Sequence, residues 1–252
     1  MIKKINYFLQ AFFIYLFFLI GRCLGLKISR KIFSFLFSSF GPFFKSRITI
    51  SNNLKIFSKN ISNLEEKKII KKMWENYGMT FIEYIFLDYF KKNKSHVLIE
   101  GEKNLYSIKE KNKPVIFISG HFANFELMSM EITKKNINLA TIYRPLNNFY
   151  LNPFMEYLRK KYVCKNQIKK GRTGVKEAIA FIGKQHSIAL MVDQRVSEGE
   201  KIKFFKEEAL TTTLPAQLAL KYNLDIVPIF IERDQNNLFK MKVLKPIDPS
   251  EF

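Results

Sequence analysis

Residues 5–20 read INYFLQAFFIYLFFLI, without one charged side chain. A run of this kind has only two comfortable environments, a bilayer or a protein interior, because water gains nothing from hydrating so much hydrocarbon. Extended through residues 21–26, with Arg22 as its one interruption, it reaches the roughly 20 residues that a helix needs to cross about 30 Å of hydrocarbon. A cleaved signal peptide competes with this reading, but no small-x-small site follows the run, and Cys23 lacks the small preceding residue of a lipoprotein site. The expectation is a retained membrane-anchor helix. Basic residues flank both ends (Lys3, Lys4; Arg22, Lys27, Arg30, Lys31), so charge leaves its direction open. A second apolar patch, residues 32–44 (IFSFLFSSFGPFF), is broken at Gly41-Pro42 and too short to span. It suits an interfacial segment or ordinary core.

The rest of the 252-residue chain is long enough for one catalytic-size core, or for a core with an appendage. With 47% apolar residues and two distant cysteines, Cys23 and Cys164, it is neither a disordered nor a disulfide-stapled chain. Lys and Arg number 42 against 22 Asp and Glu, a formal charge of +20, which favours anionic partners such as nucleic acid, an anionic leaflet or an acidic carrier protein. No RNP, KH or zinc-finger spacing accompanies the charge, so nucleic acid is not the expected partner. The division expected is an anchor and interfacial segment over residues 1–44 and a catalytic α/β domain over 45–252.

Ser62-x-x-Glu65 has the form of a capping box, and Ile69, Ile70, Met73, Trp74, Tyr77 and Phe81 follow at helical spacing. Trp74 is most simply core. From residue 97 the pattern changes to short β-rich runs, VLIEG, VIFIS, LATIY, SIALMV, IVPIFIE and LFKMKVL, alternating with helix-like stretches. This alternation predicts an α/β fold with a mainly parallel central sheet flanked by helices, ending in an antiparallel hairpin across residues 234–237. Ligands of open α/β sheets bind beyond the carboxyl ends of the strands. There the chain places Gly120-His121 after VIFIS, Arg144-Pro145 after LATIY and Asp193-Gln194 after SIALMV.

The chemistry-bearing segment is Gly120-His121-Phe122-Ala123-Asn124-Phe125-Glu126. Five positions along a regular helix turn a side chain by about 140°, away from its partner. A turn at His121 before a helix containing Glu126 removes that obstacle, and the carboxylate then holds one imidazole nitrogen while the other acts as a general base. No G-x-S-x-G elbow or His-adjacent cysteine is present, so the base would activate the acceptor itself. His96 and His186 have no partners at metal-ligand spacing, and neither a metal nor a cofactor is expected.

These residues resemble the bacterial lipid A late acyltransferases (lauroyl/myristoyl type) of the lysophospholipid acyltransferase superfamily. The family block G-H-F-G-N-W-E is matched at Gly120, His121, Phe122, Asn124 and Glu126, with Ala123 and Phe125 in place of Gly and Trp. The resemblance continues through Tyr143-Arg144-Pro145-Leu146-Asn147-Asn148, Gly171-Arg172, residues 190–194 (LMVDQ), Phe204-Phe205, Thr211-Thr212-Thr213 and residues 226–230 (IVPIF). It implies transfer of a fatty acyl group from an acyl-carrier-protein thioester to a hydroxyl of a lipid A precursor, at the cytoplasmic face of the inner membrane. His121 would be the base and Glu126 its orienting carboxylate. Arg144 would stabilise developing negative charge or bind phosphate, Asp193 would shape the pocket floor, and Asn124, Arg172 and Gln194 complete the substrate-binding residues.

Two departures stand out. Lys206 follows Phe204-Phe205 where the family has Gly, which alters the pocket expected there, and family members continue into further helix beyond the position of Phe252, so a C-terminally shortened version is expected. Residues 154–172 carry seven Lys/Arg against Glu156 alone, a patch suited to an acidic carrier protein or lipid phosphates, or simply a solvated face. Two other functions stay open: the same chemistry on a lysophospholipid, glycolipid or aminolipid acceptor, and a catalytically inactive membrane-anchored basic binding protein.

Overall fold

The computed structural model describes residues 2–44, 47–93 and 95–251. Lys45, at the expected start of the catalytic domain, lies outside the described residues, as do Met1 and Phe252. The chain separates into two compact units. One comprises the first residues up to Phe8, Leu87–Glu200 and everything from Leu210, and the other Leu9–Phe86 with Lys201–Ala209.

Among the described residues of the first unit, seven strands form one sheet: β1 (Val97–Glu100), β2 (Ile116–Ser119), β3 (Leu139–Tyr143), β4 (Asn166–Lys169), β5 (Ser187–Met191), β8 (Ile226–Arg233) and β9 (Phe239–Val243). Their order is β1-β9-β8-β2-β5-β3-β4. Every neighbouring pair is parallel except β8 and β9, the antiparallel hairpin expected at the end of the chain. The fold is therefore α/β, with a mostly parallel sheet flanked by helices. Ile116, Ala140, Ile168, Ile188 and Leu190 from five different positions of the sheet pack with Ala178 and Ile182 of α8 (Arg172–Gly183) and Leu218 and Ala219 of α9 (Leu214–Tyr222). Central strands covered on both faces read as continuous apolar runs, which is why β2 and β5 were legible. Strand β4, with the polar sequence Asn-Gln-Ile-Lys at the sheet edge, was not.

The second unit is mainly helical. Helix α1 (Ile2–Phe40) is not straight: Gly25 has φ 74° and ψ 165°, outside the helical region. In an uninterrupted helix Phe17 and Phe33 would be about 24 Å apart. Instead their ring centroids are 5.8 Å apart, and Ser29 Oγ donates to the Gly21 carbonyl at 2.7 Å, so the helix doubles back at Gly25, where glycine alone tolerates the dihedrals without cost. A buried ion pair, Arg30 Nε to Glu83 Oε1 at 2.6 Å, ties the returning arm to α3 (Asn63–Glu83). The start of α3 is as expected: Ser62 is its N-cap and accepts from the Glu65 N–H at 3.2 Å. Trp74 is buried. Helix α2 (Arg47–Phe57) lies between them in sequence.

Strands β6 (Glu200–Phe204) and β7 (Glu207–Thr211) form a separate two-stranded sheet. Its turn places Phe205 at φ 49° and Lys206 at φ 71°. Both are left-handed positions that usually take Asn or Gly, so Lys206 stands where the backbone asks for the glycine of the family pattern. Phe205 meets Phe57 edge to face with centroids 5.3 Å apart. The remaining helices, α4 (Leu87–Lys92), α5 (Glu102–Lys111), α6 (Glu126–Lys134) and α7 (Asn152–Leu158), belong to the first unit.

Candidate functional site

Strands β2 and β5 are parallel neighbours, with Ser119 opposite Met191. Two residues further along each chain come His121 and Asp193, so register alone brings them to the same point of the carboxyl rim. Asp193 engages His121 twice: Oδ2 accepts from the backbone N–H at 2.8 Å and Oδ1 lies 2.8 Å from the ring Nδ1. Gly120 permits this approach, since a Cβ there would stand 3.2 Å from the Asp193 carboxyl carbon and 2.8 Å from the Phe122 ring. Phe125 packs edge to face on the imidazole, centroids 4.6 Å apart. With Nδ1–H donating to a carboxylate, the lone pair of the neutral ring sits on Nε2. Gln194 Nε2 is 3.4 Å from that atom.

Burial pushes the Asp193 carboxyl up, but the bonds from the His121 ring and N–H outweigh it and leave the group below its ordinary value. The Asp193 carboxyl is thus held toward its anionic form, an acceptor that fixes the orientation of the ring through Nδ1.

The expected His121–Glu126 contact is replaced in this geometry by His121–Asp193. Glu126, the first residue of α6, is buried and its Oε1 takes Arg159 at 2.7 Å. Arg159 in turn lies 5.6 Å from the centroid of the Tyr143 ring. It therefore leaves the basic patch of residues 154–172, where sequence had counted it, for the interior. The physical reason is helical phase. Glu126 begins the helix after a turn in which Ala123 adopts φ 42°, and its side chain meets the turn Arg159–Val163 rather than the strand rim.

Arg144 follows β3 directly and is exposed; β3 pairs with β5, so its backbone stands at the same rim. Burial and then a hydrogen bond to Glu156 hold the neighbouring Tyr143 phenol above its ordinary value, so it remains a neutral donor. Arg172 opens α8 after β4, one strand further along, and is exposed. Asn124 is buried at 1% exposure in the turn between His121 and α6. The rim thus gathers His121, Asp193, Gln194 and Arg144 from β2, β5 and β3, with Arg172 at the next strand. Sequence reasoning missed the roles of Asp193 as imidazole partner and Arg159 as the cation on Glu126. Position after an adjacent strand signalled the first; nothing local signalled the second.

The carboxyl rim of a mostly parallel α/β sheet thus presents a carboxylate-held imidazole, with exposed arginines following the neighbouring strands. A comparison with curated proteins gave no match. The family model described as bacterial lipid A biosynthesis acyltransferase matches residues 2–251. The chain belongs to that family, and its class of reaction is acyl transfer.

Proposed function

We propose that the protein moves a fatty acyl group from an acyl-carrier-protein thioester to a hydroxyl of a lipid A precursor, at the cytoplasmic face of the bacterial inner membrane. The observation that carries the mechanism is the double engagement of His121 by Asp193 at 2.8 Å. In a family of acyltransferases, an imidazole fixed with Nε2 outward supports proton removal from an alcohol whose pKa lies far above 7.

The acceptor oxygen attacks the thioester carbonyl as its proton passes to Nε2, forming the new C–O bond. The C–S bond then breaks and the proton returns from the imidazolium to the leaving sulfur, so the base is regenerated and no external reagent is consumed. Asp193 keeps the ring in position throughout. Arg144 is suited to the oxyanion or an acceptor phosphate, where a preorganised cation counts most, and Arg172, Asn124 and Gln194 are assigned to substrate binding. Glu126 acts through Arg159, holding α6 and the turn Arg159–Val163 together beneath the rim.

The remaining exposed basic residues of the patch, among them Lys160, Lys161, Lys165 and Lys170, suit the acidic surface of a carrier protein. Helix α1 is long and apolar enough to cross a membrane, with only 17% of its most apolar window buried. Its arm before Gly25 spans about 35 Å at 1.5 Å per residue, which supports its reading as the anchor.

The test is incubation of membranes bearing the protein with labelled acyl-carrier protein and lipid A precursor, with product mass spectrometry. His121→Ala is expected to lower turnover by about 10²–10⁴-fold while leaving the fold intact. Near-wild-type turnover would remove His121 as the base, and a product on another lipid would reassign the acceptor.

A further inference from the structure

The helical unit holds a second feature with the character of a binding site. Ser38 near the end of α1, Pro42 in the turn after it, Ile50 of α2, and Lys67, Ile70, Lys71 and Trp74 of α3 surround an open cavity of about 360 Å³. That volume falls within the roughly 300–1,000 Å³ of small-molecule sites. Its chemistry is divided. Pro42, Ile50 and Ile70 are apolar, whereas the two charged lining residues are both lysines.

Two observations point to an anion. Lys71 has only a loose contact with Glu75, 3.9 Å away and one turn further along α3. Lys67 stands one turn before Lys71, so both ammonium groups fall on the same helix face. The unit as a whole shares this sign: between Leu9 and Phe86 basic residues outnumber acidic ones twelve to four.

The surroundings point to a lipid. Phe40, Phe43 and Phe44, beside the cavity in sequence, are 56%, 84% and 83% exposed. Contiguous aromatic exposure of that kind marks a membrane or partner surface rather than a face bathed in water.

We propose that this cavity binds one anionic phospholipid. Lys67 and Lys71 hold the phosphodiester, and Pro42, Ile50, Ile70 and Trp74 line the wall that receives the adjoining glycerol and first acyl carbons. The inference rests on the membrane placement given above but not on the acyl-transfer chemistry, so His121→Ala leaves it unaffected.

Trp74 is the chain's single tryptophan, which makes the site its own reporter. The full chain in neutral detergent is titrated with phosphatidylglycerol or phosphatidylcholine brominated near the headgroup, and tryptophan emission is followed. Phosphatidylglycerol is expected to quench at a concentration about tenfold or more below phosphatidylcholine. The exposed-site double variant Lys67→Gln/Lys71→Gln is expected to abolish that preference without changing the thermal unfolding temperature. Equal quenching by the two lipids, or a preference that survives in the double variant, would overturn the proposal. Inorganic phosphate serves as the third arm: a change of tryptophan emission with phosphate alone, with no lipid quenching, would assign the cavity to a free anion and overturn the proposal. Quenching retained in a preparation that shows no acyl transfer would uphold this site while the functional reading failed.

Discussion

The same residue types face opposite surroundings in the two units. In the sheet unit Ile116, Phe117, Ile188 and Val227 are completely buried, whereas in α1 Phe12, Phe13 and Phe35 are 55%, 52% and 67% exposed. A chain folding in water alone would gain about 25 cal/mol for each Å² of apolar surface it covered, and α1 leaves much of that gain unclaimed. The sheet unit hides its apolar side chains and carries polar residues at its rim, whereas α1 turns apolar side chains outward, a surface suited to a hydrocarbon neighbour.

The largest effect expected lies on the water-facing side of this contrast. Asp193→Asn should lower kcat by about 10²–10⁴-fold, because the imidazole loses the anion that fixes its tautomer. The same variant tests the pH dependence. The Asp193 carboxyl is held below its ordinary value, so its bond to His121 stabilises the fold above about pH 4, the unfolded aspartate value. That contribution fades as the pH falls through the lower folded value. Urea unfolding of wild type and Asp193→Asn should therefore differ at neutral pH and converge at acid pH; a gap that widens on acidification would contradict the assignment.

Removing Arg159 should come next. Arg159→Ala removes the cation paired with the buried Glu126 carboxylate, and a loss of about 3–5 kcal/mol is expected in denaturant unfolding. Arg159→Met combined with Glu126→Gln should recover most of it, since neither residue then buries a lone charge. A double variant as unstable as the single one would mean that Glu126 has a separate structural role.

A substitution on α1 distinguishes the units directly. Phe12→Lys/Phe13→Lys places two charges on the exposed face of α1, where water would accept them within about 0.5 kcal/mol but hydrocarbon would charge about 2.5–3.5 kcal/mol for each. The expected result is loss of protein from the alkali-washed membrane fraction with no change in the unfolding of the sheet unit. Unaltered retention would place that face outside the bilayer. The smallest effect belongs to Ala123→Gly. Relief of the left-handed backbone at φ 42° is offset by the extra freedom of an unfolded glycine, leaving a gain of at most about 1 kcal/mol in the unfolding midpoint.

Much of this could be read along the chain. The apolar runs that became β2, β3, β5, β8 and β9 announced themselves, as did the Ser62 cap and the placement of His121 just past a strand. The β6–β7 hairpin did not, because Lys201, Lys203 and Lys206 interrupt its apolar residues and Phe205-Lys206 is a poor turn sequence by composition. Nor was the return of α1 legible at Gly25, since a glycine in an apolar run is equally compatible with a straight helix.

Periodicity, caps and breakers act over a few residues, and such local forces already mark most of the strands of the main sheet and the start of α3, and that an imidazole stands at a strand end. Which acid meets that imidazole is a different kind of question. Glu126 is near in sequence but turned toward Arg159, while Asp193, 72 positions on, arrives because β2 and β5 pair in one register. Partners brought together by strand pairing and by a helix doubling back depend on contacts between distant residues, and only the folded chain chooses among the many that local rules allow.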